Sequence, residues 1–183
     1  MRRRILIQGP SRRHGMSLVE SLVALVVLSV GMLGIAGLLL TGIKSNRSAL
    51  YRTQAVNLVA DMADRIRANA NARQAYDTAV YGGAPSPHDC APSAGGSGSN
   101  CTIQQLAEDD LARWIEAVRR ALPGIGDQPA QAEVSYTAAV GGGPESYEIE
   151  VAWQEPGEVN ADNTPVTYRY RSRVVLMPRP EVG

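Results

Sequence analysis

A basic leader ending in Arg12-Arg13-His14-Gly15 runs directly into Met16-Ser17-Leu18-Val19-Glu20, and Glu20 is the last charge before a long apolar stretch. From Ser21 to Ile43 no side chain is charged, which gives about 23 residues, enough to cross a bilayer core of about 30 Å as a helix. A carboxylate at the mouth of such a run is costly in hydrocarbon and needs a partner or a role. In an ordinary secretion signal the apolar stretch precedes the cut and is discarded with the leader. Here the order is reversed. A cut after Gly15 precedes the apolar stretch, and the arginines beside it hold the bond at the cytoplasmic surface. Cleavage there leaves Met16 as the new amino terminus, with Glu20 four residues further on.

Two roles suit Glu20. In a bundle of apolar helices, a carboxylate one turn inside the helix pairs with the terminal amine of a neighbouring subunit, because two buried opposite charges offset each other's desolvation and one alone does not. The plainer role is a glutamate that favours its own helix N-terminus or sits among headgroups, worth a few tenths to about 1 kcal/mol. Taken alone, the residue is better explained by the plainer role.

The elements that must position this string follow from periodicity. Beyond Lys44 the helical pattern continues through Leu50, Leu58, Met62 and Ile66, with Asp61 and Arg65, and Asp64 and Arg67, spaced as solvent-side pairs. One helix from about Ser17 to about Ala72 would measure roughly 80 Å. Its outer half is amphipathic, so one face must lie on a globular domain. The stretch from Tyr76 to Asn100 is rich in Gly, Pro, Ser and Ala and reads as loop. Thr102 opens a second helix with Gln105 as its capping-box partner; Leu111, Trp114, Ile115, Val118 and Leu122 share one face, and Pro123-Gly124 ends it. The remainder alternates with period two: Val134, Tyr136 and Ala138, then Tyr147, Ile149, Val151 and Trp153, then Val166, Tyr168, Tyr170, Val174 and Leu176. The turns are Gly141-Gly142-Gly143-Pro144 and the stretch from Pro156 to Pro165. On the opposite faces Glu148 and Glu150 can stand across from Arg169, Arg171 and Arg173. The expected class is α+β: a long N-terminal helix on a small antiparallel sheet, with a second short helix.

Composition narrows the function. The precursor is formally balanced at 18 basic and 18 acidic residues. Because Arg2, Arg3, Arg4, Arg12 and Arg13 all leave with the leader, the mature chain becomes net acidic by five, which argues against a nonspecific nucleic-acid or anionic-membrane binder. Phe is absent, so Tyr, Trp and aliphatic residues must fill the core. Cys90 and Cys101 flank a flexible Gly/Ser-rich run; outside the cytoplasm an even cysteine count reads as one disulfide. The rival is a metal site, but two thiols with only His88 nearby lack tetrahedral ligand spacing.

The string Gly15-Met16-Ser17-Leu18-Val19-Glu20 resembles the prepilin peptidase site of type IV pilins and type II secretion pseudopilins, with Met16 where most members carry Phe and Ser17 where they carry Thr. The resemblance implies that the peptidase cuts between Gly15 and Met16, that Met16 is N-methylated, and that Glu20 is needed for assembly. It also implies the lollipop shape of pilins. Gly31, Gly34 and Gly37, with Gly42 beyond, suit close helix packing in a membrane, and equally a stretch that loosens on entering a filament, as the pilin stem does. Ala63-Asp64-Arg65-Ile66-Arg67-Ala68-Asn69 resembles an Asp-Arg-Met-Arg-Ala-Asn signature of PilV-type minor pilins. Asp110-Leu111 with Trp114, Leu122-Pro123-Gly124, and Tyr147 to Trp153 are similar to that branch too.

Together these imply a non-enzymatic minor pilin that helps initiate type IV pilus assembly and enters the pilus near its tip. Its expected partners are prepilin peptidase, other minor pilins, the major pilin, the inner-membrane assembly platform and a large tip adhesin; no cofactor, metal or nucleic acid is expected. The expected location is the bacterial inner membrane, single-pass with the C-terminal head in the periplasm, and then the extracellular pilus. The expected division is a leader over 1–15, a membrane and assembly helix over 16–43, its amphipathic continuation over 44–72 and a head over 73–183. A minor pseudopilin of type II secretion shares everything up to Ile43, and the signature from Asp64 to Asn69 tips the choice. A membrane-anchored periplasmic enzyme fares worse: His88 is the only histidine left after processing, and no nucleophile has a recognisable base near it. The loop with Glu158, Asp162 and Asn163 lacks the spacing of a calcium loop and reads as a polar turn.

Overall fold

The computed structural model describes residues 17–90 and 101–176. The chain divides into two compact units, Met1–Ser45 and Asn46–Gly183. Helix α1, Leu18–Ala68, contributes to both. In the first unit it is helical throughout, including Gly31, Gly34, Gly37 and Gly42, and none of these glycines has a neighbour within 4 Å of a built Cβ. Its apolar side chains face outward: Leu18, Leu33 and Leu38 are 83%, 73% and 76% exposed.

The second unit is an α+β head. After α1 come a 3-10 segment Ala70–Tyr76, a 3-10 turn Thr78–Tyr81, helix α2 Ile103–Ala121, and strands β1 Gln131–Thr137, β2 Glu145–Val159 and β3 Pro165–Leu176. The strands form one antiparallel sheet in the order β1-β2-β3. One cluster holds the head together. Ala55, Val59, Met62, Ala63 and Ile66 of α1 join Leu111, Trp114, Ile115 and Val118 of α2 and the inner sheet residues Val134, Tyr147, Ile149, Val151, Trp153 and Val174. With no Phe, tyrosines fill the middle: Tyr147 meets Tyr136 at 5.2 Å and Tyr76 at 6.4 Å between ring centroids.

α2 follows its sequence closely. Thr102 N–H donates to Gln105 Oε1 at 2.9 Å and Gln105 N–H to Thr102 Oγ1 at 3.2 Å, closing the capping box. Beyond Pro123 the chain turns so tightly that a Cβ on Gly124 would stand 2.3 Å from the Gln128 carbonyl oxygen. Only glycine fits there.

Three boundaries differ from the sequence expectation. α1 ends at Ala68 rather than near Ala72, because the Asn69 side chain donates to the Ile103 carbonyl at 2.9 Å and the chain then kinks at Arg73, with φ 48 and ψ −119. Tyr76, expected to open a loop, is fully buried. β2 runs on through Pro156 and Gly157 to Val159 across a register shift, so the turn before β3 is shorter than the expected stretch from Pro156 to Pro165.

Candidate functional site

The start of α1 is built by a cap. Ser17 Oγ accepts the Glu20 N–H at 3.1 Å, and its carbonyl accepts the Ser21 N–H at 3.2 Å. Ser17 is therefore the N-cap and Glu20 the third helical residue, the spacing of a capping box. Periodicity alone did not reveal this. The signal was in Ser17-x-x-Glu20 itself. Glu20 is exposed in the first turn, and among the described residues its carboxylate has no ion-pair partner. A carboxylate there complements the positive end of the helix dipole. Gly15 and Met16, the expected cleavage and methylation positions, lie outside the described residues.

Among the described residues α1 is the one helix long and apolar enough to cross a membrane. An apolar surface of this extent on a soluble monomer would have to be covered.

In the head, the side chains that sequence reading singled out hold structure together. Arg65 pairs with Asp61 at 2.9 Å and with Asp110 of α2 at 2.8 Å. Asp110 also accepts from the Tyr76 hydroxyl at 2.8 Å, and burial pushes that phenol far above its usual range, with the Asp110 contact adding to the shift. Trp114 Nε1 donates to the Leu58 carbonyl at 2.8 Å, an indole acting as a tether between helices. Asp64 and Arg67 pair on the surface at 2.7 Å.

A second cluster, missed in the sequence, fixes the segment before the cysteine loop. Asp109 is only 2% exposed. Its carboxylate accepts backbone N–H groups of His88, Asp89 and Cys90 at 2.9, 3.1 and 3.3 Å and the Arg113 Nε at 2.8 Å. Glu108 accepts the Ser86 N–H at 3.1 Å and meets His88 Nε2 at 2.6 Å. Their position in the sequence marks Glu108 and Asp109 only as acids in the first half of α2. Cys90 and Cys101 form a disulfide, S–S 2.03 Å. Asp162 Oδ1 accepts from the N–H and Oγ1 of Thr164 and braces the turn before β3. Among the described residues no three His, Cys, Asp or Glu side chains converge as metal ligands do.

The family model for the prokaryotic N-terminal methylation motif matches residues 10–36, and that for Tt1218-like type IV pilins matches residues 37–112. The chain belongs to the type IV pilins. Comparison with curated proteins and with solved structures finds no match. The motif places this pilin in the path of prepilin peptidase and in a pilus-type assembly, anchored in the membrane by its apolar helix. The family is a structural one. The second match stops inside α2, so the whole sheet of this pilin lies outside both matched regions.

Proposed function

We propose that this chain is a minor pilin that helps initiate a type IV pilus and enters the filament near its tip. The observation that carries the reading is the methylation-motif match over residues 10–36, across which α1 is exposed and carries Glu20, in its first turn, as its single charged side chain. On this reading prepilin peptidase cuts between Gly15 and Met16, Met16 is N-methylated, and Glu20 pairs with the terminal amine of a neighbour. The apolar helix over 16–43 anchors the subunit, and its continuation, which ends at Ala68, leads into the head. The disulfide suits a head on the oxidising, periplasmic side of the inner membrane. The PilV-type assignment rests on the string Asp64 to Asn69. Within that string Arg65 and Asn69 both reach α2, at Asp110 and at the Ile103 carbonyl.

Other minor pilins, the major pilin, the assembly platform and a tip adhesin are the partners this role requires. The test is fractionation of the host. Mass spectrometry of membrane-extracted protein should give an N-methylated Met16 terminus, and a strain lacking the gene should lose surface pili. An intact leader would reject the pilin processing route. Normal pili combined with failed protein secretion would assign the chain to type II secretion instead.

A further inference from the structure

The head sheet has two edges, and one of them is closed. Along β1, Thr78 Oγ1 donates to the Val134 carbonyl at 3.1 Å and accepts the Val134 N–H at 3.3 Å, while Asp77 Oδ2 accepts the Tyr136 N–H at 3.1 Å. Along the outer side of β3 no such bond exists among the described residues. Open edges are templates for another strand, and soluble proteins usually cover them.

The alternation of the ladder fixes which groups are open. Val134 and Tyr136 turn their backbone groups away from β2, so Glu133 and Ser135 bond to Glu150 and Glu148. With a period of two, Tyr147, Ile149, Val151 and Trp153 bond across to Val174, Ser172, Tyr170 and Tyr168. What β3 turns outward is the backbone of Thr167, Arg169, Arg171, Arg173 and Val175. Its side chains alternate as well: three arginines on the solvent face, and half-buried Tyr168 and Tyr170 on the inner face. Arg169 pairs with Glu150 at 2.7 Å, and Arg171 pairs with both Glu150 and Glu148. Arg173, directly opposite Glu148, has no ion pair among the described residues.

We propose that the outer edge of β3 receives an extended segment of a different pilin-type subunit, with acidic side chains at alternate positions, as a fourth strand of the sheet. The charge pattern selects the occupant. An acidic strand repeats on the free side of Arg169, Arg171 and Arg173 what Glu148 and Glu150 do on the other. A second copy of this chain pairing edge to edge would set arginine against arginine, which is destabilising across a sheet. The inference rests on the chain being a filament subunit, and it names the kind of surface through which that subunit meets its partner.

The test uses the full-length protein in its native membrane, with a photoreactive benzoylphenylalanine in place of Val175, which is 49% exposed. Arg173→Pro removes an outward N–H and no bond to β2, a place where proline is tolerated. Arg173→Glu keeps the N–H and reverses the charge; Arg173→Lys keeps both features. The expected result is an adduct to an acidic, alternating segment of another subunit carrying a pilin-type leader. Its yield should be unchanged in Arg173→Lys and roughly fivefold to tenfold lower in Arg173→Pro and in Arg173→Glu. No adduct, an adduct between two copies of this chain, or a yield indifferent to both proline and glutamate means that the arginines merely guard the edge, and overturns the proposal. An adduct to a type II secretion pseudopilin upholds the strand pairing and overturns the pilus assignment instead.

Discussion

Arg65 Nη1 lies 2.8 Å from Asp110 Oδ1, so the last turns of α1 and the first half of α2 share an ion pair. Asp110 turns its other oxygen to the buried Tyr76 hydroxyl, and Arg65 turns its Nε to Asp61. One carboxylate thus ties together α1, α2 and the segment joining them. Burial lowers the Arg65 affinity for its proton, but the two aspartates more than reverse this and leave it raised.

Asp110→Ala leaves both the Arg65 guanidinium and the Tyr76 phenol short of an acceptor, and should cost about 1.5 to 3 kcal/mol. Asp110→Asn retains a partner for Tyr76 and should cost less. Thermal melts of the detergent-solubilised chain measure both. Equal, small losses would mean that the pair is a surface contact screened by water.

Reduction of the Cys90–Cys101 disulfide opens a loop with a sequence separation of 11. In the chain-entropy account its removal should cost roughly 2 to 3 kcal/mol. The thermal midpoint should therefore fall on adding reductant, with metal content unchanged. A midpoint indifferent to reductant contradicts this.

Acid should loosen the segment from Ser86 to Cys90. The His88 contact, with the Ser86 N–H, holds Glu108 below its usual range. Burial raises Asp109, but Arg113 and the backbone N–H groups more than offset it, leaving it lowered too. Carboxylates depressed in the folded state contribute stability that is present above the unfolded carboxylate range of about 4 and is lost as pH falls through their folded values. Asp109→Asn should flatten that acid limb while lowering stability at neutral pH. Acid titration followed by near-UV circular dichroism reads the difference, and an unchanged acid limb would refute the assignment.

Glu20→Val should separate processing from assembly. Removing the charge eases insertion, so the variant should lose its leader and remain in the membrane. A neighbour's amine left unpaired in an apolar bundle costs several kcal/mol. Sheared pili should therefore lack the variant while the membrane fraction retains it. Equal incorporation of both forms would leave Glu20 as a helix-end residue capped by Ser17.

Local interactions were legible in the sequence because they act over a few residues. The Thr102 capping box, the apolar face of α2, the uncharged run after Glu20 and the period-two strands each follow from the order of neighbouring side chains. That Glu148 and Glu150 stand across from the arginines of β3 followed as well, from alternation in neighbouring strands, while the pairing of Glu148 with Arg173 and Glu150 with Arg171 came only with the register. The tertiary structure alone decided what depends on residues distant in the chain. Asp109 and Asp110 look alike in sequence, as acids early in a helix. One is buried to hold the backbone from His88 to Cys90, and the other faces Arg65 and Tyr76. Tyr76 reads as the start of a loop until Tyr147 and Asp110 supply the contacts that bury it. The two edges of the sheet differ for the same reason. Thr78 lies 56 residues from Val134, and only the fold brings it against β1, so no local pattern could have told the closed edge from the open one.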